Sequence, residues 1–304
     1  MKHLKTLTYI LDVSKSGSIR KTAEKLNITP SALTRKIQDF EYELGTPVFE
    51  RLPQGVRLNA AGELLVRHVR NQISDFERIR SQIADLAGAR RGQISIACSQ
   101  AFVDHVMPRE IAKYRSQFPL VSFVTQVRDH QKAVAALQEH EADLALVIQP
   151  PPSPEMQTLL TCSQPLCALM SRDHPLAQQE GTLRLRHCLE FPLALPDHSL
   201  AIRPMLDAAF ARMLMPINVV IESGSFELLR NYTLLEHVIS FQVLSGVPVR
   251  HEKLFYKPID ERDLGPVQIV LGQLRGRMLP VAAAKFADQL SISLHTMHES
   301  ASKP

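Results

Sequence analysis

The sequence predicts a multidomain chain: a small α-helical unit closed by a β-hairpin, one long helix, and a two-lobed α/β body. Three observations predict it. In the first 60 residues apolar positions recur at helical spacing between strong capping and turn signals. Over 59–87 no proline intervenes, and an apolar seam advances in steps of three and four. From residue 93 onward short apolar runs alternate with helical patterns, which implies parallel α/β sheets.

A chain of 304 residues corresponds to roughly two domains. Its 45% hydrophobic and 22% charged residues are ordinary for a folded protein and supply a sizeable core. The start Met1-Lys2-His3-Leu4-Lys5 lacks the apolar stretch of a signal peptide, and no run approaches the ~18 apolar residues of a membrane span. A cytoplasmic location away from membranes is therefore expected. Cys98, Cys162, Cys167 and Cys188 form no CxxC and no Cys/His set with zinc spacing. They are expected to be reduced structural thiols, with a Cys162/Cys167 redox switch as the alternative. No metal and no cofactor are expected. Residues 1–60 hold ten Lys and Arg against six acids, so 10 − 6 = +4, which equals the net charge of the whole chain. A basic module on a neutral body suits attraction to phosphate.

Leu4, Leu7, Ile10, Leu11 and Val13 make a first amphipathic helix that Gly17 ends. Ser18 is placed to cap a second helix over 19–26, and Asn27 tolerates the left-handed turn that follows. Thr29-Pro30 joins an N-cap to a proline at the first helical position, so a third helix starts there and runs to about Leu44, with Gly45 as its C-terminal stop. Two helices joined by so short a turn match the helix-turn-helix, whose second helix enters the major groove. On that helix Pro30, Ser31, Thr34 and Arg35 are read as outward, and Ala32, Leu33 and Ile37 as inward. Arg35 is the expected base reader, since its fork pairs with guanine O6 and N7. Ser31 and Thr34 offer donors, Lys36 and Gln38 steady the backbone, and the capping residues Ser18 and Thr29 are also DNA-binding candidates. The stretches 48–51 and 56–58 around Pro53-Gln54-Gly55 read as a two-stranded wing, with Arg51, Gln54 and Arg57 placed to reach phosphates or the minor groove.

At this point the sequence resembles the LysR-type transcriptional regulators. The likeness lies in Gly17-Ser18, Ala23-Glu24-Lys25-Leu26, Ile28-Thr29, Ala32-Leu33-Thr34-Arg35-Lys36-Ile37 and Glu43-Leu44-Gly45. It continues through Phe49-Glu50-Arg51 and Leu58-Asn59-Ala60-Ala61-Gly62. There are two departures. Many members carry Gln where Pro30 stands, and proline reads no base edge by a side-chain hydrogen bond. Most carry Thr where Asn59 stands, and Asn caps a helix equally well. The resemblance implies double-stranded operator DNA as partner and a winged helix-turn-helix spanning 1–58.

The seam Leu65, Val69, Ile73, Phe76, Ile79 or Arg80, Ile83 and Leu86 is that of a coiled coil. A helix of about 29 residues spans roughly 43 Å. In the family this helix pairs two protomers, so a dimerising linker with its hinge is expected over 59–91, with Gly88 and Gly92 around Ala89-Arg90-Arg91 as the hinge. The resemblance further implies a homo-oligomer built as a dimer of dimers, with RNA polymerase as a further partner.

In the remaining chain, strands are expected near 94–97, 121–127 and 143–148, with helices over 106–117 and 131–140. The run Gln149-Pro150-Pro151-Pro152-Ser153-Pro154 reads as a crossing between lobes. A second set follows, with strands near 166–170, 192–195, 219–222 and 238–242 and helices over 201–214 and 226–234. The chain returns through a strand near 267–271 to a helix over 281–294. This is similar to the family's effector domain, itself similar to periplasmic binding proteins: lobe I over 92–163 and 267–304, lobe II over 164–266. The family's glycine-rich segment near the second crossing is replaced by Glu236-His237-Val238-Ile239-Ser240-Phe241. Ligands of open α/β sheets sit beyond the carboxyl ends of strands. The residues so placed are Ser99, Gln100, Thr125, Arg128, Gln149, His198, Ser199 and Gln242, a polar set suited to a small organic anion.

Asp-His recurs at 104–105, 129–130, 173–174 and 197–198, which is read as loop chemistry with His198 also a pocket candidate. No GxSxG, HExxH, P-loop or strand-following GxGxxG is present, so an enzyme is not expected. A transport solute binder and a ligand-independent architectural DNA binder are the other rivals. The first does not explain the N-terminal module, and the second does not need some 200 residues of α/β body. The expected function is sequence-specific transcriptional regulation modulated by a small effector. Control through cysteine redox state or a protein partner is the alternative.

Overall fold

The computed structural model describes residues 2–86, 91–248 and 251–301. The chain divides into two compact units, 1–79 and 80–304, and the division falls inside one long helix.

The first unit contains α1 (Lys2–Ser16), α2 (Ile19–Lys25), α3 (Pro30–Leu44), the hairpin β1 (Phe49–Leu52) and β2 (Gly55–Leu58), and most of α4 (Ala60–Leu86). The local signals act as expected. Ser18 Oγ accepts from Lys21 N and Thr29 Oγ1 from Ala32 N, capping α2 and α3. Asn27 and Gly45 adopt left-handed φ of 54° and 78°. Asn59 caps α4 by accepting from Gly62 N at 2.9 Å, while its Nδ2 donates to Pro47 O at 2.8 Å. Glu41 adds a tie that its surface-like sequence context hides: Oε1 accepts from Val48 N at 2.7 Å and secures the entry to the wing.

Ile10, Val13, Ala23, Leu33, Ile37, Val48 and Val66 form the core of this unit. Ala32, expected inside, is exposed. It lies about 100° around the helix from Leu33, beyond the buried stripe. The seam of α4 also divides in two. Leu65 and Val66 pack in the core of the first unit, so that unit extends past the boundary expected at 58. Phe76, Ile79 and Ile83 are 69%, 45% and 63% exposed. Residues 87–90 of the expected hinge lie outside the described residues.

The second unit runs β3 (Gly92–Cys98), α5 (Val106–Gln117), β4 (Val121–Val127), α6 (His130–Gln138), β5 (Leu144–Ile148) and β6 (Met156–Gln164). It continues with β7 (Leu166–Ser171), α7 (Leu185–Cys188), β8 (Leu193–Pro196), α8 (Arg203–Met213), β9 (Val219–Ser223) and α9 (Phe226–Tyr232). Then come β10 (Ile239–Val243), β11 (Leu254–Pro258), β12 (Val267–Leu274) and α10 (Val281–Ala301). Two five-stranded sheets result, ordered β4-β3-β5-β12-β6 and β11-β7-β10-β8-β9.

Three expectations are corrected. The sheets are mixed rather than parallel: β12 lies antiparallel to β5 and β6, and β7 antiparallel to β10 and β11. The edge strands β6 and β11 were not foreseen, because Met156–Gln164 carries no clean alternation and Leu254–Pro258 is short and ends in proline. The proline run does not cross between lobes. It turns the chain from β5 back into β6 of the same sheet, and the crossing is made at Pro165, between β6 and β7.

Ion pairs with a buried carboxylate pin both lobes. Arg277 donates to Asp143 at 2.8 Å, and Asp143 also accepts from Ser95 N. Arg184 forks onto both oxygens of Asp263 at 2.8 and 2.7 Å, and Leu185 N donates to the same carboxylate. The Arg184 fork, against the opposing effect of burial, holds the Asp263 carboxyl below its ordinary range. That stabilisation is present above the unfolded-state value of about 3.9 and is lost as pH falls through the lower folded value. Asp263→Asn should therefore lower the urea midpoint at neutral pH and shrink toward no effect in acid, as pH-dependent unfolding will measure. A Cβ on Gly62 would collide with the Val48 carbonyl and the Leu58 side chain. Gly62→Ala should destabilise the first unit by about 1–3 kcal/mol, read as an early unfolding transition of the full chain.

Candidate nucleic-acid interface and ligand cleft

On α3, Ser31, Arg35 and Gln38 follow i, i+4, i+7 on the side opposite buried Leu33 and Ile37, and all three are exposed. Gln38 thus shares the stripe of Arg35 instead of flanking it. Pro30, Ala32 and Lys36 are exposed beside the stripe. Ala32, missed as an outward residue, offers a methyl of the kind that contacts thymine. Thr34 is half-buried and its hydroxyl donates to Pro30 O at 2.8 Å, so its donor is spent within the helix. Thr29 Oγ1 lies 3.2 Å from Ser31 Oγ, and Ser18 caps α2.

In the wing, Arg51 and Gln54 are exposed, and no ion pair engages Arg51 among the described residues. Arg57 is also exposed, but it donates to Glu50 at 2.8 Å, its cross-strand partner in the hairpin. The surface is thus graded: Arg35, Lys36 and Arg51 have no ion pair among the described residues, whereas Arg57 is already engaged.

In the second unit a cavity of about 190 Å³ opens where the carboxyl ends of β3, β4 and β5 face the other lobe. Ser99, Gln100, Val127, Arg128, Asp129, His130, Lys132 and Ile148 line it from lobe I. Ser199, Leu200, Ala201, Ile202, Gly224 and Phe226 line it from lobe II. Gln100 spans the gap, its Oε1 accepting from Phe226 N at 3.0 Å, and the Asp104–Arg230 ion pair at 2.8 Å makes a second bridge. Gly224 is needed at the wall, because a Cβ there would press on the Asp197 carboxylate and the Ser199 hydroxyl. Arg203 fixes the loop leading into α8, donating to Pro196 O, Asp207 and Glu222. Burial opposes ionisation of Asp129, but the backbone N–H and ammonium of Lys132 outweigh it and keep the carboxyl below its ordinary range. Arg128 is exposed and free of any ion pair among the described residues. The cavity therefore carries a net positive rim.

Of the eight residues the sequence nominated, Ser99, Gln100, Arg128 and Ser199 come together here. The other four lie elsewhere. Thr125 is exposed along the edge strand β4, and Gln149 turns the chain after β5 with φ 46°. His198 is exposed with Nδ1 3.7 Å from Asp207. Gln242 is buried in β10, packed under Gly246. Sequence reasoning missed His130 and Lys132, which the capping aspartate at 129 signals, and Phe226, which the Ser225 cap signals.

The Asp-His pairs serve local ends. Asp129 caps α6, His174 accepts from Leu176 N, Asp104 holds Arg230, and Asp197 accepts from Ser199 N. No three His, Cys, Asp or Glu side chains converge on a metal-sized site among the described residues. All four cysteines are free and buried, and burial pushes the Cys98 and Cys167 thiols up to about 12.

Residues 4–63 match the family described as "Bacterial regulatory helix-turn-helix protein, lysR family", and residues 87–293 match "LysR substrate binding domain". The chain belongs to the LysR family of transcriptional regulators. This LysR-type regulator is 24% identical over 218 residues to the HTH-type transcriptional activator CmpR of Synechocystis, covering 72% of this chain and 71% of that protein. A full-length OxyR variant from Pseudomonas aeruginosa shares the fold with a TM-score of 0.70 at 19% identity, covering 94% of each chain. Full-length CbnR, in a structure described as complexed with its target DNA, gives 0.61 at 17% identity over 95% of this chain and 99% of that one. No helix among the described residues is long and apolar enough to cross a membrane.

Arg35→Ala should cost about 1–3 kcal/mol of discrimination at one base pair, measured by binding to single-site operator variants. Arg51→Ala should weaken binding evenly across sequences and lower the salt slope by about 1, whereas Arg57→Ala, already paired, should lower it less.

Proposed function

We propose that this LysR-type regulator binds its operator as a dimer of dimers in the cytoplasm and answers to a small organic anion held in the cleft between the two lobes. The observation that carries this reading is the convergence of Ser99, Gln100, Arg128 and Lys132 from one lobe with the loop 199–202 and Phe226 from the other on a single cavity. Backbone N–H groups at the start of a helix and an unpaired guanidinium both favour negative charge. At about 190 Å³ the cavity is below the ~300–1,000 Å³ of drug-sized sites, so the ligand has only a few heavy atoms.

Arg128 supplies the charge contact, Ser99 and Ser199 supply hydroxyls, and Gln100 exchanges its bond to Phe226 N for one to the ligand. Because both lobes contribute, an anion that prefers one lobe angle shifts the population toward it, by no more than that preference. Arg35, with Ser31 and Gln38 on the same stripe, reads the operator, and Lys36, Arg51, Gln54 and Arg57 hold phosphates. The exposed apolar side chains of Phe76, Ile79 and Ile83 on α4 support pairing of protomers along this helix. RNA polymerase is the further partner of such a regulator. Redox control through Cys162 and Cys167 is the less favoured reading, since both thiols are buried and burial raises them above their ordinary range.

The test is a thermal-shift series of short carboxylic acids and their neutral amides on the wild type and on Arg128→Ala, with native mass spectrometry for the assembly. Acids should stabilise the wild type and amides should not, and the variant should lose about tenfold or more in affinity. Equal responses of wild type and variant, or a preference for the amides, would overturn the reading.

A further inference from the structure

We propose that the second unit holds a second ligand site, distinct from the cleft, that takes an amphipathic carboxylate at the junction of the two lobes beside the Pro165 crossing. A cavity of about 1140 Å³ lies there, several times the size of the cleft. It is built from both lobes: α5 and α10 on one side, the turn after β10 and strand β11 on the other, and Pro165 between them. None of the residues that line the cleft belongs to it.

The wall chemistry selects the ligand. Val106, Pro165, Leu244, Val247, Ile292 and Met297 give it an apolar floor. Ile292 is 66% exposed although it sits on a helix whose neighbours Leu290 and Leu294 are fully buried. Hydrogen-bonding capacity at the wall is unused: Ser245 Oγ and His105 Nε2 are buried and have no partner among the described residues. Buried polar atoms are rarely left so. The charges are unequal in their commitments. Asp104 is paired with Arg230, and Glu110 accepts from Arg109 and Gln289. Both carboxylates are thus answered, whereas the Lys113 ammonium has no hydrogen bond or ion pair among the described residues. An apolar body closed by one carboxylate matches an apolar floor with one unanswered cation.

A ligand here touches both lobes, as one in the cleft does. It therefore acts on the same lobe angle from a different place, and the two ligands are coupled to the extent that each prefers one angle. This second site does not depend on the cleft being occupied.

The experiment uses the full chain with octanoate, octan-1-ol and octylamine as probes, followed by calorimetry and thermal shift. The variants are Ile292→Glu and Lys113→Gln, both at exposed positions, with Arg128→Ala as the control for the cleft. Octanoate should bind the wild type and Arg128→Ala alike, and about tenfold or more weakly to Ile292→Glu and Lys113→Gln. Octan-1-ol should lose affinity only in Ile292→Glu, and octylamine should bind least. Absence of octanoate binding, or binding lost in Arg128→Ala and kept in Ile292→Glu, would overturn the proposal. So would a change of oligomeric state in Ile292→Glu with octanoate binding intact, which would assign the surface to a second copy of the chain.

Discussion

The second unit is governed by one constraint: the chain passes between its two sheets only twice. The passage from β6 to β7 takes a single residue, Pro165, and the return runs from β11 to β12. Proline fixes its own φ and offers no N–H, so the first passage is short and stiff. Two sheets tethered in this way have few relative motions open to them, chiefly a change of angle about the tether. The Gln100–Phe226 and Asp104–Arg230 contacts then act as latches across the gap. Each couples a residue at the end of β3 to α9, so opening the cleft costs one hydrogen bond and one ion pair together.

In the first unit the same economy of short contacts presents a surface. Caps at Ser18, Thr29 and Asn59 set where each helix begins, and Glu41 ties α3 to the wing through two backbone N–H groups. The donors that remain outward are therefore few and rigidly placed. Thr34 spends its hydroxyl on Pro30, and Arg57 leans on Glu50. Such a surface pair is weak enough for a phosphate to compete with it, so in the proposed interface Arg57 is the conditional contact and Arg51 the immediate one.

Membership of the LysR family accounts for the fold, and structures at 17–19% identity share it over nearly the whole chain. The chemistry of the individual sites is this chain's own. Its four cysteines are free and buried. The two cavities are unequal, one small with a net positive rim, the other larger and floored with apolar side chains.

Short-range signals could be read directly from the residues. Helix starts and stops were legible at Ser18, Thr29, Gly45 and Asn59 because a cap is an interaction with a backbone group within one turn. The parallel core strands were legible because residues buried on both faces read as apolar runs, as in Leu144–Ile148. The positions Ser99, Gln100, Arg128 and Ser199 followed from topology, since strand ends in open α/β sheets converge. The sheet edges and the crossing depend on long-range pairing. Strand β6 exists because Val267 pairs with Gln164 and Leu274 with Met156, and β11 because Leu254 pairs with Ser171. A partner roughly a hundred residues away leaves no periodic mark on a strand that is half exposed. Thr125 and Gln242 missed the cleft because the face a strand residue takes is set by the neighbour strand, and Gln149 and His198 because they stand in turns beyond the strand ends.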